Sequence, residues 1–142
     1  MSLSDSECWS VNLTLPSVRG AGKDFINNLL EELRRNAWND HEVFGVHLAV
    51  EEAVVNAIKH GNCLDESKQV QICCRLWKDR LWIEIIDEGC GFNPDEVPDC
   101  TQIENLEIPN GRGIMLMRSF MSKVEYSSAG NGVILEKLRG QS

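Results

Sequence analysis

Hydrophobic positions along this chain change their period several times, and each change marks an element. Trp9, Val11, Leu13 and Leu15 alternate with polar neighbours and stop at Pro16, which predicts a strand over 8–15. After Gly20 and Gly22 the spacing becomes helical. Phe25, Ile26, Leu29, Leu30 and Leu33 recur every three or four residues, predicting a helix that runs to about Ala37. Asn39-Asp40 offers a cap for a second helix over 41–60, closed by Gly61-Asn62. Residues 70–77 and 81–87 alternate again around the short turn Lys78-Asp79-Arg80, the pattern of an antiparallel hairpin. Residues 88–110 carry Gly89, Gly91, Pro94, Pro98 and Pro109; connections this long are often lids or binding loops. A short helix is predicted over 114–121, after Gly111-Arg112-Gly113. A second hairpin follows, over 123–127 and 133–138, around Ala129-Gly130-Asn131-Gly132.

The order is therefore β-α-α-β-β-loop-α-β-β. Two hairpins imply antiparallel pairing. Helices gathered on one face of a mixed, mostly antiparallel sheet make an α+β fold, a two-layer α/β sandwich. The second helix is expected to be mostly buried, because its apolar residues exceed a single stripe.

Length and composition narrow the class. The 142 residues suit one domain, expected over 1–142 with its core at about 8–138. With 42% hydrophobic and 25% charged residues, the chain is not a disordered one. Fourteen basic residues against 22 acidic ones leave a formal charge of −8, which argues against nucleic acid as a partner, since phosphate neutralisation needs a basic face. The most apolar stretch, 43–58, is interrupted by Glu51 and Glu52 and falls short of the ~18 apolar residues of a membrane span. No secretory signal is read ahead of the first strand. The six cysteines contain no Cys-x-x-Cys pair, and the adjacent Cys73 and Cys74 would point to opposite faces of a strand. They read as reduced thiols of a cytoplasmic protein.

Candidate chemistry lies in three segments. On the second helix a narrow polar stripe of Glu52, Asn56, Lys59 and His60 runs between apolar residues. Glu52, Asn56 and His60 are four apart and stack along one side. Such a stripe is either a solvated strip with one stabilising pair or a ligand-facing one. In the second case Glu52 and Asn56 present hard oxygens to Mg²⁺, and the carboxylate could take a proton from a hydroxyl nucleophile. Lys59 and His60 suit either a phosphate or the negative end of the helix dipole. The second segment is Asp87-Glu88-Gly89-Cys90-Gly91-Phe92. Asp87 shares a strand face with Leu81, Ile83 and Ile85, which aims it at the layer between sheet and helices. A buried carboxylate needs a donor, and an adenine amino group would serve; turn capping is the plainer account. The third is Gly111-Arg112-Gly113-Ile114, where free N–H groups at a helix start, with Arg112, can hold phosphate oxygens. No Walker A or Rossmann pattern is present.

Taken in order, the three segments resemble the N box and two glycine boxes of the Bergerat-fold (GHKL, histidine-kinase-like) ATPases, and the similarity spans about 11–138. Within that group the chain is most similar to the anti-sigma-factor serine/threonine kinases. The resemblance implies ATP and Mg²⁺ as cofactors, with Asn56 holding the metal and Asp87 binding the adenine amino group. Gly89, Gly91, Gly111 and Gly113 would shape the nucleotide pocket, with Phe92, Ile114, Lys59, His60 and Arg112 as further nucleotide-binding candidates. Glu52 would be the catalytic base. It implies a small STAS-type antagonist protein as the substrate phosphorylated on Ser or Thr, with a sigma factor as second partner. The resembling kinases are commonly dimers, so a homodimer is one implied state. Two other readings accompany this one: a nucleotide-gated module that sequesters a regulator without phosphorylating it, and a stand-alone histidine-kinase-like catalytic domain. The 95–109 segment departs from the pattern in carrying Asp95, Glu96, Asp99, Glu104 and Glu107 but no Lys or Arg. Basic contacts to phosphate would then have to come from Arg112 or Lys59.

Overall fold

The computed structural model describes residues 7–89, 111–127 and 131–140. The expectations for Gly91, Phe92 and the 95–109 segment lie outside them. Strand β1 (Glu7–Pro16) leads into helices α1 (Lys23–Arg35) and α2 (Asp40–Val55), the latter continued by a π-helical turn, Asn56–Gly61. The hairpin β2 (Gln69–Trp77) and β3 (Arg80–Ile86) follows, then α3 (Gly111–Phe120) and the hairpin β4 (Lys123–Tyr126) and β5 (Gly132–Leu138).

The five strands form one sheet in the order β1-β2-β3-β5-β4. Every described pairing is antiparallel, the limit of the mostly antiparallel sheet expected from the hairpins. Register puts Val70, Ile72, Cys74 and Leu76 of β2 beside Leu81, Ile83 and Ile85 of β3, all buried. Their strand neighbours Gln71, Cys73 and Arg75 pair with Ile86, Glu84 and Trp82 on the opposite, more open face. The period of two thus separates a core face from an outer one. The helices cover the core face through Leu29 and Leu33 of α1 and Val46, Val50 and Ala53 of α2.

Helix α2 begins with a complete capping box: Asn39 Oδ1 accepts from the Glu42 amide at 2.7 Å, and Glu42 Oε1 accepts from the Asn39 amide at 3.3 Å. Glu42 is buried because its second oxygen also accepts from the Gly140 amide at 2.6 Å. Mid-helix, Gly45 lets α3 approach closely; a Cβ there would lie 2.7 Å from Phe120 Cδ1. The expectation of a mostly buried second helix holds for its core side, while Phe44 and Val55 remain about half exposed.

Candidate functional site

Strand β3 ends at Ile86, and Asp87 follows on the core side, continuing the Leu81, Ile83, Ile85 face as the alternation required. The residue is only 8% exposed. Oδ1 accepts from the Gly89 amide at 2.8 Å. Burial pushes its pKa up, and the Gly89 hydrogen bond and the charge of Lys68 offset only part of that. Asp87 is therefore both a turn cap and a buried carboxylate aimed inward; the two sequence readings are not exclusive.

Across from it runs the end of α2. The π-helical turn starts at Asn56, and the Asn62 amide reaches back five residues to the Ala57 carbonyl at 2.9 Å. A π turn advances each residue through a smaller angle than an α turn, which shifts the direction of the side chains that follow Asn56. Asn56 is buried, 8% exposed, while Lys59 and His60 are partly exposed and are not among the residues lining the cleft beside it. Gly61 packs directly on Asp87, where a Cβ would overlap the carboxylate, and a Cβ on Gly89 would overlap the Gly61 carbonyl. Both glycines are required by this contact.

Asn56 and Asp87 line one cleft with Ala53, Ala57, Ile85, Tyr126, Asn131, Gly132 and Val133. Its free volume is about 20 Å³, close to that of one water. Glu52 lies one turn before Asn56, partly buried. Burial raises its pKa first, the charge of neighbouring Glu51 raises it further, and the Asn56 side chain lowers it. Asn56 is thus near enough to favour the Glu52 carboxylate, yet its own buried Nδ2 lacks a partner in hydrogen-bonding geometry. An orphaned buried donor of this kind is costly unless a ligand satisfies it.

The chemistry of this set fits a purine nucleotide and a hard divalent cation. Asp87 can accept from an amino group, Asn56 offers a hard oxygen and an unsatisfied donor, and Glu52 adds a carboxylate. Of Gly111, Arg112, Gly113 and Ile114 the structure describes the backbone, which forms the first turn of α3; the helix therefore starts three residues earlier than predicted. Sequence reasoning missed Tyr126 and Asn131. Tyr126, the chain's one tyrosine, has its phenol pushed up to about 12, chiefly by burial, with Arg118 lowering it and Glu52 raising it. Only its alternation with Val124 hinted that it faces inward.

A cleft between a helix-end Asn and a strand-end Asp, on an antiparallel sheet covered by helices, defines a class of nucleotide-binding domain. The histidine kinase-like ATPase domain family matches residues 23–137, and the chain belongs to that family. Among its relatives, the anti-sigma F factor of Clostridium perfringens is 36% identical over 101 residues, covering 68% of this chain and 72% of the relative. That of Clostridium acetobutylicum is 37% identical over 103 residues, covering 68% and 70%. The serine/threonine-protein kinase BtrW of Bordetella bronchiseptica is 24% identical over 95 residues, covering 65% and 66%. The fold matches the crystal structure of the RsbU and RsbW domains of Rv1364c from Mycobacterium tuberculosis, with a TM-score of 0.62 and 16% identity. That match covers 94% of this chain and 34% of the solved one, so the chain spans about a third of the solved chain's length. Among the described residues no helix is long and apolar enough to cross a membrane.

Proposed function

We propose that this chain is an ATP- and Mg²⁺-dependent serine/threonine protein kinase of the anti-sigma-factor type, acting on a small STAS-like antagonist protein in a partner-switching system. The observation that carries the reading is Glu52 one helical turn from Asn56, its pKa raised by burial and by Glu51. A carboxylate of raised basicity suits a group that accepts a proton from a substrate hydroxyl. Nucleotide binding alone requires no such base.

In this reading Asp87 accepts from the adenine amino group and fixes the base. Asn56 would supply an oxygen to the metal, with Glu52 one helical turn away. Bound Mg²⁺ would neutralise charge on the phosphates. Glu52 would take the proton of the attacking Ser or Thr hydroxyl while the hydroxyl oxygen bonds to the γ-phosphorus of ATP and the bond from that phosphorus to the β–γ bridging oxygen breaks, leaving phosphorylated substrate and ADP. The backbone at Gly111 and Gly113, with Arg112, is the candidate phosphate cradle; Gly91, Phe92, Ile114, Lys59 and His60 are held as further nucleotide contacts.

The test is incubation with labelled ATP, Mg²⁺ and a matched STAS-type protein. Wild type is expected to label the antagonist on Ser or Thr. Glu52→Gln is expected to bind ATP but to lose transfer by at least about a hundredfold. Equal transfer by that variant would remove Glu52 from its role. The name anti-sigma F factor, carried by relatives, describes holding a regulator, and so favours a second reading: nucleotide-gated sequestration without transfer. Binding of the antagonist without labelling, by folded and ATP-loaded wild type, selects that second reading.

A further inference from the structure

From sequence, Asn62 reads as the residue that closes the second helix with Gly61. In the structure it is fully buried, at 0% exposure, and its carboxamide is used at both ends. Nδ2 donates to Ser17 Oγ at 2.8 Å and to the Gln69 carbonyl at 3.1 Å. Oδ1 accepts from the Glu88 amide at 2.8 Å. The ring is closed on both sides: Ser17 Oγ donates to the Lys68 carbonyl at 2.6 Å, and the Glu88 carboxylate accepts from the Gln69 amide. One side chain therefore joins the end of β1, the turn after the π-helical segment, the start of β2 and the exit of β3.

The Glu88 bond sets this network apart from general packing. The Glu88 amide belongs to the peptide unit between Asp87 and Glu88. Holding it fixes the plane from which the Asp87 side chain departs, and the Gly89 amide then fixes the carboxylate itself. On its other side, Asn62 is continuous with the π-helical turn through its amide bond to Ala57. Asn56 and Asp87 lie 31 positions apart in sequence, and Asn62 is where their two segments meet. A carboxamide supplies two donors and an acceptor in one plane. Alanine supplies none of these, and glutamine is one methylene too long for a site with no free surface.

We infer that Asn62 is a positioning residue of the nucleotide site, one that sets the Asp87 carboxylate against the Asn56 helix end through its bond to the Glu88 amide. The inference rests on the nucleotide reading given above. Asn62 touches no ligand; it acts through Asp87. Loss of the Glu88 bond should lower affinity for adenine nucleotides, while loss of the Ser17 bond, on the far side of the carboxamide, should lower only stability.

The experiment compares wild type, Asn62→Ala and Ser17→Ala as full chains, by calorimetric titration of ATP with Mg²⁺ and by thermal unfolding. Amide hydrogen exchange at Glu88 and Gly89 is measured without nucleotide. Asn62→Ala is expected to bind ATP at least about tenfold more weakly, the size of one buried hydrogen bond. Ser17→Ala is expected to unfold at lower temperature and bind within about twofold of wild type. Exchange protection at Glu88 should be present in wild type and Ser17→Ala. ATP affinity in folded Asn62→Ala equal to wild type overturns the inference, as does an affinity loss in Ser17→Ala matching that in Asn62→Ala. If Asn62→Ala does not fold, an unprotected Glu88 amide in wild type overturns it as well, and a protected one together with unchanged affinity in Ser17→Ala supports it. Failure of wild type itself to bind ATP overturns the nucleotide reading instead, which separates the two.

Discussion

At the scale of single residues, Asp87 carries a cost in the free protein that its proposed ligand would repay. Burial holds its carboxyl above the ordinary aspartate value. The folded state therefore binds a proton more readily than the unfolded chain, and stability from this group is full at low pH and falls as pH rises through the raised value. Asp87→Asn removes that term while keeping an oxygen for the Gly89 amide. The variant is expected to be at least as stable as wild type at pH 7, to lose that advantage below about pH 4, and to bind ATP poorly. Thermal melts at several pH values with a parallel ATP titration check it; a variant less stable than wild type at pH 7 contradicts the burial argument. The thiols offer an independent test of packing. Cys74 is buried and its pKa raised, chiefly by burial and then by Cys73, whereas Cys8 and Cys63 are exposed. A thiol reagent is expected to modify Cys8 and Cys63 in the folded protein and Cys74 only on unfolding, as mass mapping would read.

At the scale of elements, the caps and contacts of α2 decide how firmly the site is held. Asn39→Ala removes an acceptor from a complete capping box and is expected to cost about 1 kcal/mol in denaturant unfolding. Gly45→Ala drives a methyl into the Phe120 ring and should cost about 1–3 kcal/mol by displacing α3. Most of these elements were legible in sequence because burial leaves a periodic trace. The alternation of Leu81, Ile83, Ile85 and Asp87 predicted both the strand and the inward carboxylate, and both are present. The π-helical turn was not legible. Its five-residue hydrogen bonds require no distinctive side chain, so 41–60 read as one continuous helix. Asn62 was hidden for another reason. Asparagine after Gly is ordinary helix-end chemistry, and its partners Ser17 and Glu88 lie 45 and 26 residues away, beyond any local pattern. The start of α3 was read late because Gly111 and Gly113 argue for a loop where the backbone is helical.

At the scale of the whole molecule, a formal charge of −8 sets no bar to an anionic ligand of nucleotide size. A nucleotide can be met by backbone N–H groups and a metal, whereas an extended polyanion needs a broad basic face. If the nucleotide reading holds, ATP with Mg²⁺ at a hundred times its dissociation constant adds about 2.7 kcal/mol and should raise the melting temperature by roughly 10 °C. No shift at millimolar ATP with Mg²⁺ would contradict nucleotide binding by the folded chain.

The strand order bears on how such a protein is made. β3 sits at the centre of the sheet, and one of its two neighbours is β5, which follows every other described element. Val133 of that strand lines the cleft, and Asn131 just before it accepts the Asp87 amide through its carbonyl at 2.8 Å. A growing chain that has released both helices and the first hairpin still lacks one wall of its pocket and leaves the edge of its central strand unpaired. During synthesis the protein therefore passes through an interval in which its cleft is incomplete and its central strand is open to pairing with another strand. That interval ends only when the last strand emerges.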